Sequence, residues 1–327
     1  MRAIVIHRFG GPEELQLAEV PTPEPGAGEV LIRVVLAGVN PADWKCREGR
    51  LQQYFNYQFP FVVGFDAAGV VERLGEAVTG YAVGDAVLTS SNQGRGEWGS
   101  YAEYLKSSTT TVARLPDGID FAQGATIPTA GATAWGAIHD VGAVRAGQKV
   151  LINGGSGSVG IFAIQFAKAA GCEVAAICGP ANLAFVKSLG ADRVIDYRSE
   201  NVLEATAAWA PAGVDLLLDT VGLGSLPADA TRVIRPGGAL VAIATLIQDI
   251  AGFDAALAKS RDVRLLSNMA AAARIPEHLR AVVDAVARGG VRTPPYEILP
   301  LEQAGDAHRR VASGHVRGKL LLRVGAG

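Results

Sequence analysis

The sequence predicts an α/β protein in which a mainly β domain precedes a domain built on a doubly wound parallel sheet. Residues 1–122 contain short strands broken by glycine- and proline-rich turns, such as the turn at 21–26. From about Gly131, strand-like runs alternate with helical segments, and this alternation is typical of βαβ units. A glycine-rich turn at 154–160 joins one of these strands to a helix. We therefore divide the chain into domains at 1–122 and 123–268, followed by residues 269–327.

Alternating apolar residues predict the strands of the first domain. In the run 29–37, Val30, Ile32 and Val34 lie on one face, as in a half-buried strand. Helical periodicity is weak throughout this part of the chain. The predicted strands cover residues 3–6, 29–37, 62–73 and 85–89.

Short, continuously apolar runs predict the strands of the second domain. Such runs are expected when helices cover both faces of a parallel sheet. The predicted strands are 149–153, 173–178, 193–195, 214–219 and 239–244, and the helices between them include 158–170 and 183–189. The last part of the chain is predicted to contain a helix at 276–288, a strand at 297–301, a helix at 304–313 and a strand at 319–324.

Composition restricts the possible partners. The chain has 327 residues, and its 30 Lys and Arg against 32 Asp and Glu give a net charge of −2. This balance argues against a nucleic acid or a membrane surface as a partner, and no run approaches the ~20 apolar residues that span a bilayer. The three cysteines, Cys46, Cys172 and Cys178, lack disulfide or metal spacing. Such usage predicts a reduced, cytoplasmic environment.

The glycine-rich turn carries the strongest functional signal. Glycines recur at 154, 157 and 160 between a strand and a helix. A dinucleotide site needs a tight turn there, a backbone that approaches the pyrophosphate and a helix N-terminus that faces the anion. We predict a Rossmann cofactor site formed by Gly154, Ser156, Gly157, Ser158, Val159 and Gly160. The spacing is G-x-x-G-x-x-G instead of G-x-G-x-x-G, so an ordinary glycine-rich turn is the alternative.

The end of the second parallel strand favours NADPH over NADH. An NAD site normally has an acidic residue there to bind the ribose 2′-hydroxyl, whereas this strand ends at Cys178 and Gly179 with no acid. We predict that Cys178 and Gly179 contact the cofactor. The nearest candidate partners of a 2′-phosphate are Asn182, Tyr197 and Arg198. The alternative for Tyr197 and Arg198 is an ordinary turn after the third strand.

Other cofactor contacts are expected at the carboxyl ends of the remaining strands, where open α/β sheets bind ligands. One strand ends in Thr220 and Val221, and another ends in Ile243, Ala244 and Thr245. We predict that these five residues line the cofactor. The alternative for Thr220 is a side chain that faces solvent.

Several motifs together resemble those of one known family. The chain is similar to the zinc-independent quinone oxidoreductases (zeta-crystallin-like) of the medium-chain dehydrogenase/reductase superfamily. Besides the glycine turn, the matching segments are 38–45, 60–71, 99–104, 130–135, 189–192, 219–222 and 313–319. They extend over nearly the whole chain in the family's order, so together they are more specific than the glycine turn alone.

The resemblance implies the fold, the cofactor and the assembly. It implies a GroES-like mainly β catalytic domain, a Rossmann NADP-binding domain, and a return of residues 269–327 to the catalytic domain. It also implies bound NADPH and a homodimer. By the same resemblance, Asn40 lies beside the nicotinamide and Thr133 near the phosphates and the nicotinamide end of the cofactor. His315 and Lys319 lie in a family motif and are candidates on the cofactor side.

The departures from relatives concern zinc and the 2′-phosphate. Zinc-dependent relatives carry a ligand Cys where this chain has the turn ending in Asn40, and a ligand His where it has Phe65. The four cysteines of the structural zinc lobe are also missing, so we predict no metal site. After the second strand, relatives often carry Lys or Arg to bind the 2′-phosphate. Ala181 and Leu183 stand there in this chain, which weakens the case for NADPH.

A mechanism without a metal suits particular acceptors. Hydride addition to a quinone or an α,β-unsaturated carbonyl compound gives a delocalised anion, so positioning and exclusion of water supply much of the acceleration. The candidate catalytic residues are Asn40, Lys45 and Tyr57. Lys45 would donate to the developing oxyanion, and Tyr57 or Tyr54 would form a polar lid. The alternatives are a solvated lysine and tyrosines that only pack.

The sequence therefore predicts a zinc-independent, NADPH-dependent oxidoreductase that acts on a small quinone or enone. One alternative is an enoyl reductase of acyl thioesters, for which no basic cluster that would bind a carrier phosphate is evident. Another is a non-catalytic crystallin-like or RNA-binding module on the same fold. The net charge of −2 argues against RNA, and the glycine turn argues against a purely structural role.

Overall fold

The computed structural model of the chain describes residues 1–91, 93, 97–222, 224–243 and 254–325. The chain forms two compact units. The first unit comprises Met1–Ala130, Leu279–Gly289 and Thr293–Gly327, and the second comprises Gly131–His278 and Gly290–Arg292. Within the described ranges, no helix is both long enough and apolar enough to cross a membrane.

The strands of the described residues are, in chain order, β1 (Arg2–Ile6), β2 (Gln16–Glu19), β3 (Glu29–Val39), β4 (Phe61–Val62), β5 (Asp66–Leu74), β6 (Ala86–Ser90), β7 (Tyr104–Ser108), β8 (Val112–Arg114), β9 (Lys149–Asn153), β10 (Glu173–Cys178), β11 (Arg193–Asp196), β12 (Val214–Asp219), β13 (Ile234–Ala242), β14 (Arg264–Ser267), β15 (Tyr296–Pro300) and β16 (Lys319–Arg323). The α-helices are α1 (Pro41–Arg47), α2 (Phe121–Ala125), α3 (Pro128–Trp135), α4 (Ser158–Ala169), α5 (Leu183–Ser188), α6 (Val202–Trp209), α7 (Ala255–Ser260), α8 (Ile275–Ala287) and α9 (Ala304–Ala312).

The first unit is built on β-sheets. A three-stranded sheet has the order β2-β1-β4, and a seven-stranded sheet has the order β15-β16-β3-β5-β6-β8, with β7 also paired to β3. The central strand β3 is almost entirely buried. Near the end of the chain, β16 pairs antiparallel with β3, where Leu320 faces Val39. The C-terminal segment therefore completes the sheet of the first unit.

The second unit contains a six-stranded parallel sheet with the order β11-β10-β9-β12-β13-β14. This is the strand order of a Rossmann fold, and it reverses direction between β9 and β12. Ligands bind such sheets beyond the carboxyl ends of the strands at this reversal. The fold thus matches the α/β class with GroES-like and Rossmann parts that the sequence predicts.

One predicted strand is broken in the structure. The run 62–73 forms β4 and β5, because Gly64 between them has a φ of +114°. A side chain at Gly64 would also collide with Tyr101, since a Cβ would lie 2.4 Å from the Tyr101 ring. The predicted strand 239–244 instead begins at Ile234 and ends at Ala242. Ala244, the last residue of the predicted strand, lies outside the described residues.

The units divide near residues 130 and 278, later than the predicted boundaries at 122 and 268. Helix α2 packs on the sheet of the first unit so closely that a Cβ at Gly38 would lie 2.5 Å from the carbonyl oxygen of Ala125. At the second boundary, the His278 imidazole contacts Asp140 of the second unit at 2.6 Å. These contacts depend on residues far apart in sequence and were not visible as a change in periodicity.

Candidate functional site

The glycine turn of the second unit forms an open cradle at the start of α4. Gly154 has a φ of +86°, and the backbone N–H groups of Gly154 and Gly155 both donate to the carbonyl oxygen of Ile177, at 3.2 and 2.9 Å. Gly157 precedes the helix, and no side chain caps it. The first N–H that bonds within the helix is that of Ile161, which donates to Gly157. The three preceding N–H groups have no intrahelical partner and suit an anion.

The glycines of this turn have different steric roles. A Cβ at Gly160 would lie 2.2 Å from the carbonyl oxygen of Gly154, and a Cβ at Gly154 would lie 2.5 Å from Thr220 Oγ1. These two glycines are needed for the turn itself. A Cβ at Gly157 would meet only the Gly154 carbonyl oxygen, at 3.5 Å. The space over Gly157 is open, and it fits a group that approaches the backbone closely, such as a diphosphate.

Residues predicted to bind the nucleotide come together at the ends of β10 and β11. The Asn182 amide donates to Ser156 Oγ at 3.3 Å, which places Asn182 beside the glycine turn. Gly179 faces the ring of Tyr197, whose side chain is exposed. The Arg198 guanidinium lies 5.9 Å from the centre of the same ring. The structure thus brings together the candidate partners of a 2′-phosphate.

Two further residues lie at this edge, namely Cys178, which is a predicted cofactor contact, and Asp196, which is not. Cys178 is buried, and its burial raises the pKa of the thiol to about 11, so its side chain belongs to the core. Asp196 was not predicted, although it ends β11 and pairs in register with Cys178. Its carboxylate accepts the backbone N–H of Arg198 at 3.0 Å and the Ser199 hydroxyl at 2.8 Å. This acid is therefore engaged in its own turn.

A polar network ties β9 to β12 at the reversal of the sheet. The Asn153 amide donates to Asp219 Oδ1 at 2.8 Å, and the same oxygen accepts the N–H groups of Val221 and Gly222 at 3.1 Å. The Thr220 hydroxyl donates to the carbonyl oxygen of Asn153 at 2.7 Å. Thr220 therefore fixes the turn instead of facing solvent. Asn153 was predicted only as the last residue of a strand.

The other predicted cofactor residues of the second unit are Ile243, Ala244, Thr245 and Thr133. The N–H of Ile243 donates to the Asp219 carbonyl oxygen at 3.1 Å, so Ile243 lies at the sheet reversal. Ala244 and Thr245 lie outside the described residues. Thr133 is half-buried on α3.

The first unit contains a buried charged cluster around Asn40. The Asn40 side-chain amide donates to Asp66 Oδ2 at 3.0 Å. Lys319 Nζ donates to Asn40 Oδ1 at 2.5 Å and pairs with Asp66 Oδ2 at 2.8 Å. The hydroxyl and the N–H of Thr129 both donate to Asp66 Oδ1, at 2.5 and 2.9 Å. Asp66 was not predicted as a site residue. The sequence signal that could have indicated it is its position directly after Phe65, within the family segment 60–71.

A second buried network joins Asp43 to Arg47. Asp43 accepts hydrogen bonds from the N–H of Asn40 at 2.7 Å and from the Tyr101 hydroxyl at 3.2 Å. Tyr101 also bonds His308 Nε2 at 3.1 Å, and Arg47 lies 3.2 Å from His308 Nδ1. Because a guanidinium only donates, Nδ1 must accept and the neutral imidazole carries its proton on Nε2. The chain of donors therefore runs from Arg47 through His308 and Tyr101 to Asp43.

Burial shifts the pKa values in this network in opposite directions. It raises the pKa of the Asp43 carboxyl to about 7, although Asp43 accepts several hydrogen bonds. It lowers the pKa of His308 to about 3, with a further contribution from the Arg47 guanidinium. His308 is thus neutral in the folded protein at neutral pH.

Replacing His308 by glutamine tests this assignment. Glutamine retains a donor and an acceptor but does not titrate. Because the folded pKa of about 3 lies below the unfolded value of about 6.5, wild-type stability falls as pH decreases through this interval. Relative to the wild type, we expect His308→Gln to gain up to about 1.4 kcal/mol for each pH unit below 6.5.

The measurement is the urea midpoint of both proteins between about pH 7 and 5. Asp43 titrates in the opposite sense, because its raised pKa makes the folded protein take up a proton in this range. The difference between the two proteins removes that shared contribution. A difference in stability that does not change with pH would contradict the buried neutral imidazole.

The candidate catalytic residues Lys45 and Tyr57 take different positions. The Tyr57 hydroxyl donates to Cys46 Sγ at 2.9 Å. Burial raises the pKa of Tyr57 above its usual range, which makes the phenol a poor acid. Lys45 Nζ lies 5.5 Å from the centre of the Trp44 ring. His315, by contrast, is exposed. The Tyr57 hydroxyl is thus engaged with the Cys46 thiol, and the catalytic roles of Tyr57 and Lys45 stay predictions.

Comparison with known proteins gives a consistent result. A family described as an alcohol dehydrogenase GroES-like domain matches residues 26–117, and one described as a zinc-binding dehydrogenase matches residues 189–322. A chloroplastic quinone-oxidoreductase homologue from Spinacia oleracea is 32% identical over 329 residues, with 96% of this chain and 95% of the relative covered.

Two further relatives extend the comparison. A chloroplastic NADPH-dependent alkenal/one oxidoreductase from Arabidopsis thaliana is 33% identical, with 98% of this chain and 79% of the relative covered. A solved quinone oxidoreductase structure from Coxiella burnetii superposes with a TM-score of 0.84 at 32% identity, with 99% of each chain covered. The likeness thus covers nearly the whole chain in both sequence and fold.

The residues present do not fit the zinc that the name of one matching family implies. Among the described residues, no group of three or more His, Cys, Asp or Glu side chains is arranged to hold a metal ion. Of the two carboxylates around Asn40, Asp66 is already paired with the Lys319 ammonium at 2.8 Å, and Asp43 accepts the N–H of Asn40 at 2.7 Å. Phe65, which precedes Asp66, has no donor atom for a metal. The donor set therefore lacks both the thiolate and the imidazole that zinc prefers.

Proposed function

The chain belongs to the quinone oxidoreductase (zeta-crystallin-like) family of the medium-chain dehydrogenase/reductase superfamily, and on this premise we propose that it transfers a hydride from NADPH to a small quinone or α,β-unsaturated carbonyl compound without zinc. It is an oxidoreductase, as its relatives are. The observation that carries the proposal for the cofactor is the uncapped start of α4 behind the open backbone of Gly157.

The second unit would hold the nucleotide. The N–H groups of Ser158, Val159 and Gly160 would bind the diphosphate, and the positive end of the α4 dipole would favour its charge. At the ends of the neighbouring strands, Asn182, Tyr197 and Arg198 would bind the adenosine ribose and its 2′-phosphate. Bound NADPH would supply the hydride.

The chemistry of the acceptor determines what the protein must add. A quinone or an enone becomes a delocalised anion when it receives a hydride, and this anion needs less stabilisation than an alkoxide. The protein would contribute chiefly by positioning the reactants and excluding water. Asn40, beside the nicotinamide in the family resemblance, would orient this end of the cofactor. Lys45 stays a candidate donor to the oxyanion.

The preference for NADPH is tested by replacing Arg198 with alanine. Because a hydrogen bond between Arg and phosphate contributes about 1.5–3 kcal/mol, we expect kcat/KM for NADPH to fall by about 10-fold or more. The value for NADH should stay unchanged. Arg264→Ala, which removes an exposed cation at the start of β14, is the control and should affect neither cofactor. Equal losses with both cofactors would contradict a role of Arg198 at the 2′-phosphate.

The proposed reaction is tested by steady-state oxidation of NADPH and NADH with a panel of quinones, enones and enoyl thioesters. We expect turnover of a quinone or an enone, with a higher kcat/KM for NADPH. Turnover confined to enoyl thioesters would instead favour the acyl-thioester reductase. No oxidation of either cofactor by any acceptor would favour a non-catalytic module, and near-stoichiometric zinc in the active protein would contradict the metal-free site.

Two further proposals concern the assembly of the protein and its cellular compartment. We propose a homodimer, which sedimentation velocity would detect as a particle of twice the 33.9 kDa chain mass. The buried free cysteines are compatible with a reduced compartment such as the cytoplasm. Two of the relatives compared above are described as chloroplastic.

A further inference from the structure

We propose that the buried ion pair between Lys319 and Asp66 is a positioning device that fixes the side-chain amide of Asn40 in one orientation and leaves one of its N–H bonds as a polarised donor. The inference rests on the proposed function, because it assigns a purpose to Asn40 in the reaction. It gives Lys319 a role different from the direct cofactor contact that the sequence predicts.

The hydrogen bonds determine the orientation of the Asn40 amide. An ammonium can only donate, so the Asn40 atom 2.5 Å from Lys319 Nζ must be the carbonyl oxygen. The amide nitrogen then faces Asp66 Oδ2 at 3.0 Å and donates one hydrogen to it. The flipped orientation would place two donors against each other and the amide oxygen against a carboxylate. The second hydrogen of the Asn40 amide has no partner among the interactions of the described residues and is the donor left over.

The ion pair is itself held rigidly. Lys319 and Asp66 are 253 positions apart in the sequence and are almost fully buried. Both donors of Thr129 occupy the other oxygen of Asp66. Gly38 makes room for the pair, because a Cβ there would lie 3.0 Å from Lys319 Cε. The Asn40 side chain therefore cannot rotate without breaking a contact to a buried charge.

A stabilising role alone is a weak explanation of this pair. Removing two charges from water costs free energy that their attraction repays only in part, so apolar residues of similar size often stabilise a core as well or better. An ammonium on the carbonyl oxygen of an amide also polarises the amide, which strengthens donation by its N–H groups. The cluster thus places a fixed positive charge and an oriented donor at Asn40.

The decisive experiment compares Lys319→Met, Asp66→Asn and the double variant that carries both changes. Lys319→Met leaves the Asp66 charge unpaired, so we expect it to lose both stability and activity. The double variant removes both charges of the pair and should recover a melting temperature near that of the wild type. Its kcat should stay about 10- to 100-fold low, close to that of Asn40→Ala, because the amide is no longer polarised and held. The KM for NADPH should change much less than kcat.

The conservative variant and a spectroscopic measurement complete the test. Lys319→Arg keeps the cation and should recover more kcat than Lys319→Met. In protein labelled with ¹⁵N-asparagine, the signals of the Asn40 amide are identified by their loss in Asn40→Ala. In the wild type, we expect the amide proton that donates to Asp66 to exchange with solvent much more slowly than the second amide proton. Equally rapid exchange of both protons would contradict the fixed orientation.

The outcomes separate this inference from the proposed function. If the wild type oxidises NADPH and the double variant recovers full kcat together with stability, the pair is only structural and the inference is wrong. If the wild type oxidises neither cofactor with any acceptor, the proposed function fails. In that case the Asn40 signals still decide whether the amide is held in one orientation.

Discussion

Replacing Gly157 by alanine is expected to raise the dissociation constant for NADPH by about 10- to 100-fold, or roughly 1.4–2.7 kcal/mol. The backbone of Gly157 has φ −77° and ψ 160°, which any residue adopts. The added Cβ would meet only the Gly154 carbonyl oxygen, at 3.5 Å. The protein should therefore fold with an unchanged melting temperature, while the methyl group keeps the diphosphate away from the backbone N–H groups.

The contrast with Gly160→Ala separates cofactor binding from folding. At Gly160 the Cβ would lie 2.2 Å from the Gly154 carbonyl oxygen, so stability and NADPH binding should fall together. Fluorescence titration with NADPH and thermal unfolding measure the two effects. Wild-type affinity in Gly157→Ala would mean that no ligand approaches the turn as closely as proposed.

Replacing Arg47 by methionine is expected to destabilise the protein by about 3 kcal/mol or more. Arg47 is almost fully buried and donates to the Gly10 carbonyl oxygen at 3.0 Å and to His308 Nδ1 at 3.2 Å. Methionine fills similar space but donates nothing, so these two acceptors lose their partner, as does the Glu48 carboxylate that Arg47 contacts at 2.6 Å. Each unsatisfied buried group costs about 1–3 kcal/mol.

Urea unfolding of Arg47→Met and of a matched variant provides the measurement. Arg50→Met removes a nearby exposed guanidinium, which lies 5.6 Å from the centre of the Trp44 ring. We expect this control to lose less than about 1 kcal/mol. Equal unfolding midpoints for the two variants would contradict the structural importance of the buried chain from Arg47 to Asp43.

The parallel sheet was predictable because its signals are local. The strands predicted at 149–153, 173–178 and 214–219 coincide with β9, β10 and β12, since each is a short apolar run bounded by glycine or polar residues. The glycine turn was predictable for the same reason, because strand, turn and helix follow one another in the sequence. Local chemistry thus determines both the sheet and its cradle.

The charged cluster of the first unit was not predictable, because its members are distant in sequence. Asp66 and Lys319 are separated by 253 positions. Periodicity carries no information on such a pairing, and Lys319 was a candidate on the cofactor side only because it lies in a family motif. The hydroxyl of Tyr57 was likewise assigned to a lid, because only the fold brings it to Cys46.

The most direct test of the central claim is a crystal structure of the protein with NADPH bound. We expect oxygens of the diphosphate to lie about 2.7–3.2 Å from the backbone nitrogens that begin α4, between Ser158 and Gly160. A diphosphate bound elsewhere, with this turn left empty, would contradict the account.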